Sequence, residues 1–370
     1  MNTRRPAEVF PPGEFIRDEL EERGWTQADL AEIMRRPKAA INMIVTGKKG
    51  ITAETATELA SAFGTSAEFW LNLDSAYRLS KVEVEKDDEI RQRADLFSLA
   101  PIKDMQKRGW IKVSDSLTEL EAELKQFFST DNLSRIPDLK VAARTSASHG
   151  VIASPEQKVW CFQALRRAKD LPAAKFSTTT LSNGLPELRG LAAFAEEARK
   201  VPRTLAKMGV RFVIVEHLPR TKIDGAALWL DDDKPVVALS LRYDRIDCFW
   251  HTLCHELSHI RNNDTALDED LLGDREEAKG VNSEIERRAN REAAAMLIPE
   301  DRIKSFILRV KPYYSKQRIV QLANILKIHP GIVAGQLQYR GEIEWAAHRE
   351  VLVKIRDIVT AEAVTDGWGY

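Results

Sequence analysis

The sequence predicts a mostly helical α+β protein, with an N-terminal helical domain and a C-terminal domain built on a small sheet. Residues 11–80 have the caps and breaks of several short helices. Between residues 210 and 241, apolar runs are divided by turn residues, which is typical of short strands. Residues 249–260 follow this sheet and place three histidines at helical spacing. A chain of 370 residues is longer than one hydrophobic core usually serves, so we expect about two or three domains.

The composition is that of an ordinary globular protein, and we expect it to remain in the cytoplasm. Hydrophobic residues make up 44% of the chain and charged residues 30%, and neither a signal-peptide core nor a membrane-spanning apolar run occurs. The cysteines Cys161, Cys248 and Cys254 form no recognisable framework, which fits a reducing compartment. A net charge of −1 gives no global attraction to nucleic acid, so DNA binding requires a local basic patch.

Residues 26–47 predict two short helices joined by a tight turn. Thr26 is a suitable N-cap for the first helix, and Pro37 suits the first turn of the second. Ile41 lies on the apolar stripe that packs the second helix back on the first, and Gly47 ends that helix. Two short helices connected in this way form a helix-turn-helix unit.

A basic patch accompanies this unit, since no acidic residue occurs between residues 35 and 50. Its members are Arg35, Arg36, Lys38, Lys48 and Lys49. Such a patch can neutralise DNA phosphates. The alternative is a small helical bundle whose basic edge is merely solvated.

Residues 11–80 resemble the HigA branch of the Xre-type helix-turn-helix proteins. The matching residues include Thr26-Gln27, Arg36-Pro37, Ile41-Asn42, Gly47-Lys48-Lys49 and Glu68-Phe69-Trp70-Leu71-Asn72-Leu73. The resemblance implies a five-helix, lambda-repressor-like domain that binds a palindromic operator in double-stranded DNA as a homodimer. In this family Gly is usual at the turn position that Arg35 occupies here, a departure that costs roughly 1–2 kcal/mol and adds a charge.

The same resemblance implies which residues contact DNA. The second helix would enter the major groove with Lys38, Ala39 and Asn42 facing base edges. The residues expected at phosphates are Thr26, Gln27, Lys48 and Lys49, to which the basic patch adds Arg35 and Arg36.

The His-Glu-x-x-His sequence of residues 255–259 carries the second chemical signal. On a helix, His255 and His259 lie on one face and can bind one metal ion, while Glu256 projects beside them. In zinc peptidases this arrangement places the glutamate where it can act as general base. The alternative is two histidines on a solvated helix face.

A catalytic zinc site normally needs a third protein ligand. Residues 283–299 predict a helix that Ser283 caps and Pro299 ends. This helix offers several carboxylates as the third ligand, namely Glu284, Glu286 and Glu292. Spacing alone does not choose among them.

Residues 188–345 resemble the ImmA/IrrE metallopeptidase family. The matching residues are Glu286, Ala289, Asn290, Ala293 and Leu297-Ile298-Pro299. The resemblance implies a zincin-like domain with zinc as cofactor, Glu286 as the third ligand and Asn290 as a residue that orients a ligand. It further implies a zinc-dependent endopeptidase that cleaves a repressor or a toxin-system partner protein.

Three residues depart from the family pattern. Ser258 stands where Gly is common, Glu292 stands where Phe is usual, and His251 stands where an aromatic residue is usual. His251 could be a fourth ligand, a proton relay or a wall of the pocket, and we favour the wall because a closed four-ligand site would exclude the catalytic water. The group that stabilises an oxyanion could be His348, Tyr243 or an arginine.

These patterns divide the chain into four segments. They are a helix-turn-helix DNA-binding domain at 1–80, a helical connector at 81–187, the metallopeptidase domain at 188–345 and a helical tail at 346–370. The function expected is that of an antitoxin-like DNA-binding regulator with a peptidase domain. The alternative is a repressor-antitoxin whose peptidase fold is catalytically silent and serves protein binding.

Overall fold

The computed structural model describes residues 9–81, 84–137, 139, 141–145, 154–264 and 276–368. Residues 84–87, 141–145 and 276–283 are described by their backbone alone. The chain forms two compact units, Met1–Arg91 and Gln92–Tyr370. In the described part of the chain, helices predominate over a small mixed sheet, as the sequence predicts.

The N-terminal unit contains five short helices, followed by the start of the helix in which the unit ends. The five helices confirm the expected helix-turn-helix domain. The helices are α1 (Pro12–Arg23), α2 (Gln27–Ile33), α3 (Lys38–Val45), α4 (Ala53–Phe63) and α5 (Ala67–Ser80). Thr26 caps α2 through a capping box with Asp29. The core is closed by apolar side chains from all five helices, among them Ile16, Leu30, Ile41, Leu59 and Trp70.

The C-terminal unit begins within α6 (Val84–Leu99) and contains the sheet. Its helices before the sheet are α7 (Ile102–Lys107), α8 (Leu117–Phe128), α9 (Pro155–Ala168), α10 (Thr178–Gly190) and α11 (Val201–Lys207). Its strands are β1 (Val141–Thr145), β2 (Arg211–Ile214), β3 (Ile223–Trp229), β4 (Pro235–Leu239) and β5 (Val364–Thr365). The helices after β4 are α12 (Ile246–Asn262), α13 (Glu276–Leu297), α14 (Glu300–Val310), α15 (Lys316–Leu326), α16 (Pro330–Tyr339) and α17 (Arg356–Thr360).

The sheet has the order β1-β3-β4-β2-β5. Strand β2 runs parallel to β4 and β5, whereas β3 is antiparallel to β1 and β4. Both faces are covered, because alternate residues belong to different hydrophobic clusters. Phe212 and Ile214 belong to the cluster that contains the buried side chains of α12, while Val213 and Val215 belong to the cluster on the other face that contains those of α9. A sheet buried on both faces therefore holds α12 in place.

The segment 81–187 is not the purely helical connector that the sequence predicts. Strand β1 lies within it and pairs antiparallel with β3, with Arg144 opposite Gly225. Helix α9 covers the sheet, and Trp160 in α9 donates a hydrogen bond to the Val215 carbonyl over 2.8 Å. A strand of five residues that pairs with strands distant in sequence shows little recognisable pattern of its own. The helical patterns on either side of it therefore led to the prediction of a helical connector.

Two further expectations need correction. In its described part, the tail 346–370 is helical only in a 3-10 turn at Arg349–Val351 and in α17. It then forms β5 beside β2, because the free edge of β2 offers backbone partners. Helix α13 begins at Glu276, so Ser283 lies inside the helix and does not cap it. The helix does end at Leu297, directly before the Ile298-Pro299 pair.

Among the described residues, no helix is both long enough and apolar enough to cross a lipid bilayer.

Candidate metal centre and nucleic-acid interface

Helix α12 places the His-Glu-x-x-His residues in the interior of the C-terminal unit. His255, Glu256 and His259 are each 0% exposed. The helix lies on the sheet and packs along its other side against α13, where Ala289 and Ala293 are fully buried and allow close approach. The alternative of two histidines on a solvated face is therefore wrong.

The two helices bring His255, His259 and Glu286 together. The Nε2 atoms of the two histidines are 3.0 Å apart. Glu286 reaches both imidazoles, with Oε2 lying 3.2 Å from His255 Nε2 and Oε1 lying 3.4 Å from His259 Nε2. Among the described residues, these three form a cluster in which one donor atom from each lies within 4.8 Å of the others.

The other carboxylates proposed on α13 do not join this cluster. Glu284 is exposed. Glu292 accepts hydrogen bonds from Ser258, Arg261 and Asn262 instead. Although burial opposes ionisation, these partners lower the pKa of Glu292. The two family departures at Ser258 and Glu292 thus pair with each other, and the acid is satisfied apart from the histidines.

The cluster fits a zinc ion. In a tetrahedral site with bonds of roughly 2.0–2.1 Å, donor atoms lie about 3.3 Å from one another. The two Nε2 atoms are 3.0 Å apart, and each lies 3.2 or 3.4 Å from a different oxygen of Glu286, separations that are close to that value. Two imidazoles and a carboxylate are also a donor set that zinc accepts, and three protein ligands leave a position for water.

Burial and mutual hydrogen bonds shift the pKa values of Glu286 and His259 in opposite directions. Burial opposes ionisation of Glu286, but its hydrogen bonds to His255 and His259 lower its pKa to about 2. Burial likewise disfavours a charged His259, yet its hydrogen bonds to Asp264 and Glu286 raise its pKa to about 10. Positive charge on the neighbouring imidazoles therefore stabilises the ionised form of Glu286.

Asp264 supports the second histidine, although it was not among the predicted site residues. Its Oδ2 lies 2.9 Å from His259 Nδ1, and its other oxygen accepts a hydrogen bond from Arg288. A carboxylate on the far ring nitrogen fixes the orientation of a ligand histidine. The sequence does show an acid five residues after His259. However, helical spacing could not place Asp264 beside His259, because Asp264 lies beyond the end of α12 at Asn262.

Asn290 does not take the orienting role that the sequence analysis gave it. Its Oδ1 lies 3.4 Å from His251 Nε2, and its amide is thus directed to a residue outside the cluster. His251 precedes His255 by one turn of α12, with ring centroids 6.4 Å apart, and lines a neighbouring cavity. This position agrees with the pocket wall favoured for His251.

Glu256 is directed towards the sheet at Gly225. A Cβ atom added to Gly225 would lie 3.0 Å from Glu256 Oε1 and 2.8 Å from the Thr252 methyl group. Glycine at this point of β3 therefore makes room for the carboxylate. Of the residues considered for an oxyanion, His348 donates to the Tyr314 carbonyl over 2.7 Å, whereas Tyr243 is 53% exposed and borders the cavity.

The residues expected at DNA lie mostly on the surface of the N-terminal unit. The exposed ones are Thr26, Arg35, Lys38, Ala39, Asn42, Lys48 and Lys49, and Gln27 is half-buried. Arg35 has a φ of 51°, which confirms the left-handed turn position. The Thr26 hydroxyl is engaged in the α2 cap with Asp29.

Arg36 differs from the rest of the basic patch. Its guanidinium forms ion pairs with Glu58 and Glu54, the latter over 3.1 Å. These carboxylates, Glu58 first, raise the pKa of Arg36. The side chain joins the turn to α4 and is less available to phosphates than the sequence suggests.

The N-terminal unit is similar to proteins of a known family. Residues 16–70 match the helix-turn-helix family. The chain is 41% identical over 76 residues to virulence-associated protein I of Dichelobacter nodosus. The matched region is 20% of this chain and 70% of that protein. The chain belongs to the helix-turn-helix family. Its N-terminal unit is a DNA-binding domain of the kind found in antitoxin-like transcriptional regulators.

Two antitoxins are among the similar proteins. Antitoxin HigA-1 of Vibrio cholerae is 35% identical over 95 residues, which is 25% of this chain and 87% of that protein. The structure of Pseudomonas aeruginosa antitoxin HigA with the higBA promoter is 37% identical, with a TM-score of 0.21, and covers 22% of this chain and 91% of that chain.

Proposed function

We propose that this helix-turn-helix protein is a cytoplasmic regulator of the HigA antitoxin type whose C-terminal unit is a zinc-dependent endopeptidase. The observation that carries the enzymatic half is the buried cluster of His255, His259 and Glu286, with Glu256 beside it on the same helix. The resemblance of residues 188–345 to ImmA/IrrE peptidases supports the same proposal. The expected substrate is a repressor or a cognate toxin-system partner.

In the proposed mechanism, zinc would be held by His255, His259 and Glu286. When bound, zinc supplies Lewis acidity that polarises the scissile carbonyl and lowers the pKa of water. Glu256 takes a proton from the attacking water and passes it to the leaving amine as the peptide bond breaks. Asp264 holds the imidazole of His259 in its ligand orientation through their 2.9 Å contact.

The DNA-binding half rests on the HigA-like domain. The solved Pseudomonas aeruginosa relative was determined with promoter DNA. We propose that this protein binds a palindromic operator as a homodimer, with Lys38, Ala39 and Asn42 of α3 facing the bases. All three side chains are exposed, as this role requires. Cleavage of a partner protein would then change which promoters are repressed.

The peptidase is tested with Glu256→Gln. This variant should retain about one zinc per chain and should lose cleavage of the cognate partner by roughly 10²–10⁴-fold, because the proton acceptor is gone but the ligands remain. Metal analysis and electrophoresis of the partner protein measure the two effects. Glu284→Gln, an exposed acid on α13, is the matched control and should cleave normally.

Undiminished cleavage by Glu256→Gln would overturn the mechanism. If the unaltered chain holds zinc and binds its partner without ever cleaving it, the alternative applies, in which the fold serves protein binding alone. The exposed aromatic residues around the neighbouring cavity, Tyr243, Tyr339 and Trp345, are the feature that favours this second function.

The DNA-binding face is tested with Lys38→Ala and Asn42→Ala. Each should weaken binding to a palindromic site upstream of the protein's own operon, and Asn42→Ala should also relax sequence preference, at a cost of roughly 1–3 kcal/mol. Fluorescence anisotropy at several salt concentrations measures both effects. Arg91→Ala, which removes a 71% exposed side chain on α6, is the control. Unchanged affinity in both variants would reject α3 as the recognition helix.

A further inference from the structure

A large cavity adjoins the candidate metal centre within the C-terminal unit. Its volume is about 1070 Å³, just above the range of roughly 300–1,000 Å³ usual for small-molecule sites. The elements around it are the end of β4, the first turns of α12, and parts of α13, α14 and α16. Such a volume suits a stretch of peptide better than one small side chain.

The cavity lies next to the cluster, because its lining includes residues within one turn of the cluster residues on two helices and a neighbour of Gly225 on one strand. His251 and Thr252 line it from α12, one turn or less before His255. Asn290 lines it from α13, one turn after Glu286. Asp224, next to the Gly225 that faces Glu256, lines it from β3. A peptide bound at the cluster would therefore have this cavity beside it.

The charge lining the cavity is predominantly positive. Its cations are Arg242, Arg245, Arg287, Arg291, Lys304 and Arg340. Its acids are Asp224, Asp247 and Glu300. Each acid is paired within the lining, as in the contacts Arg242–Asp224 at 2.9 Å and Arg245–Asp247 at 2.7 Å. The lining therefore carries more cations than acids, although Lys304 also lies 3.5 Å from Glu300, and this net positive charge favours an anionic ligand.

The floor and rim differ in character from this charged wall. Leu239, Phe249 and Ile332 supply buried apolar surface at the floor. Tyr339 and Trp345 at the rim are 69% and 62% exposed. Exposed aromatic rings around an apolar depression are typical of surfaces that bind protein segments.

We propose that this cavity is the specificity subsite of the peptidase and binds an apolar side chain flanked by acidic residues of the protein substrate. The inference rests on the proposed peptidase function, since it assigns the substrate class of that site. The apolar side chain occupies the floor, and the flanking carboxylates lie against the arginines and Lys304. Arg291 and Lys304 determine specificity by charge and take no part in bond cleavage.

The test measures binding without cleavage. The full-length Glu256→Gln chain, loaded with zinc, is titrated with fluorescein-labelled decapeptides of one alanine-based sequence. Their central Leu is flanked on both sides by Asp, by Asn or by Lys, and a fourth peptide has Gly flanked by Asp. We expect the Asp-Leu peptide to bind about tenfold more tightly than the Lys-Leu peptide, with the Asp-Gly peptide weaker than Asp-Leu.

Charge reversal identifies the cavity as the source of the preference. The double variant Arg291→Glu, Lys304→Glu should weaken binding of the Asp-Leu peptide about tenfold and remove its advantage over the Lys-Leu peptide. Arg318→Glu, an exposed arginine on α15 outside the cavity, should leave both affinities unchanged. If the double variant fails to fold, the salt dependence of the unreversed protein replaces it, and only the Asp-flanked peptides should bind more weakly as salt rises.

Three outcomes would overturn the subsite. They are equal affinity for the Asp-Leu and Lys-Leu peptides, equal loss of affinity in the Arg318→Glu control, and binding of citrate with no binding of any peptide. The last would assign the cavity to a small anion. Absence of cleavage by the unaltered chain would reject the peptidase alone, because the peptide preference is measured independently of turnover.

Discussion

Glu286 and Asp264 illustrate how single residues of this protein depend on their surroundings. Glu286 is one of several similar acids on α13, and only the crossing of α12 and α13 brings its two oxygens to the two histidines. Asp264 lies outside both helices and reaches His259 Nδ1 because the chain turns back at Asn263, whose φ is 53°.

At the residue scale, Asp264→Asn should weaken zinc binding by roughly 10–100-fold, because His259 loses the carboxylate that orients it and increases its basicity. Competition with a chromophoric chelator measures the affinity. Asp301→Asn, at a side chain that is 79% exposed, is the matched control and should bind zinc normally. An unchanged affinity in Asp264→Asn would show that the Asp264–His259 contact does not support a ligand.

At the scale of elements, the turn between α2 and α3 contains Arg35 in a left-handed conformation that usually requires glycine. Arg35 adopts a φ of 51°, and the Arg36 amide donates to the Ala31 carbonyl over 2.9 Å as the chain leaves α2. A side chain with a Cβ is strained in this region of φ. The ion pairs of Arg36 with Glu54 and Glu58 hold the following residue against α4, which helps to keep the turn in place.

Arg35→Gly should therefore stabilise the N-terminal unit. The strain relieved is roughly 1–2 kcal/mol, whereas glycine costs roughly 0.5–1 kcal/mol through the unfolded chain. The net gain, roughly 0–1.5 kcal/mol, should appear as a higher midpoint of thermal unfolding. Glu32→Gly, at an exposed position inside α2, should instead lower that midpoint. A lower midpoint for Arg35→Gly would show that Arg35 makes a compensating contact.

At the scale of the whole molecule, the two compact units carry different chemistry. The N-terminal unit presents exposed basic and polar side chains on α3, whereas the C-terminal unit buries its histidines beneath a sheet and a second helix. Each unit has its own hydrophobic core. A ligand that binds the folded form of one unit stabilises that unit by mass action.

Removal of zinc should therefore lower the unfolding midpoint of the C-terminal unit and leave DNA binding unchanged. At free zinc about 100-fold above its dissociation constant, the stabilisation lost is roughly 2.7 kcal/mol. Calorimetry with and without a chelator, together with anisotropy on operator DNA, measures the two effects. A His255→Ala chain should show no response to the chelator. A chelator effect of equal size in His255→Ala would contradict the assigned ligands.

Much of the fold and of the candidate site was open to prediction because the signals are local. The caps and apolar spacing of residues 26–47 determine the helix-turn-helix geometry within a few turns of chain. The spacing of His255 and His259 determines that they share a helix face. The apolar runs that form β2, β3 and β4 are likewise legible in the sequence.

The tertiary structure decided what depends on contacts between distant segments. It brought β1 and β5 into the sheet, paired Ser258 with Glu292, directed Asn290 to His251, and supplied Asp264 as the partner of His259. It also formed the cationic cavity from four helices and the sheet. The His-Glu-x-x-His helix could thus be predicted from residue spacing alone. The position of Glu286 beside the two histidines depended on how α13 and the sheet pack against that helix, because packing is set by long-range burial that no local pattern records.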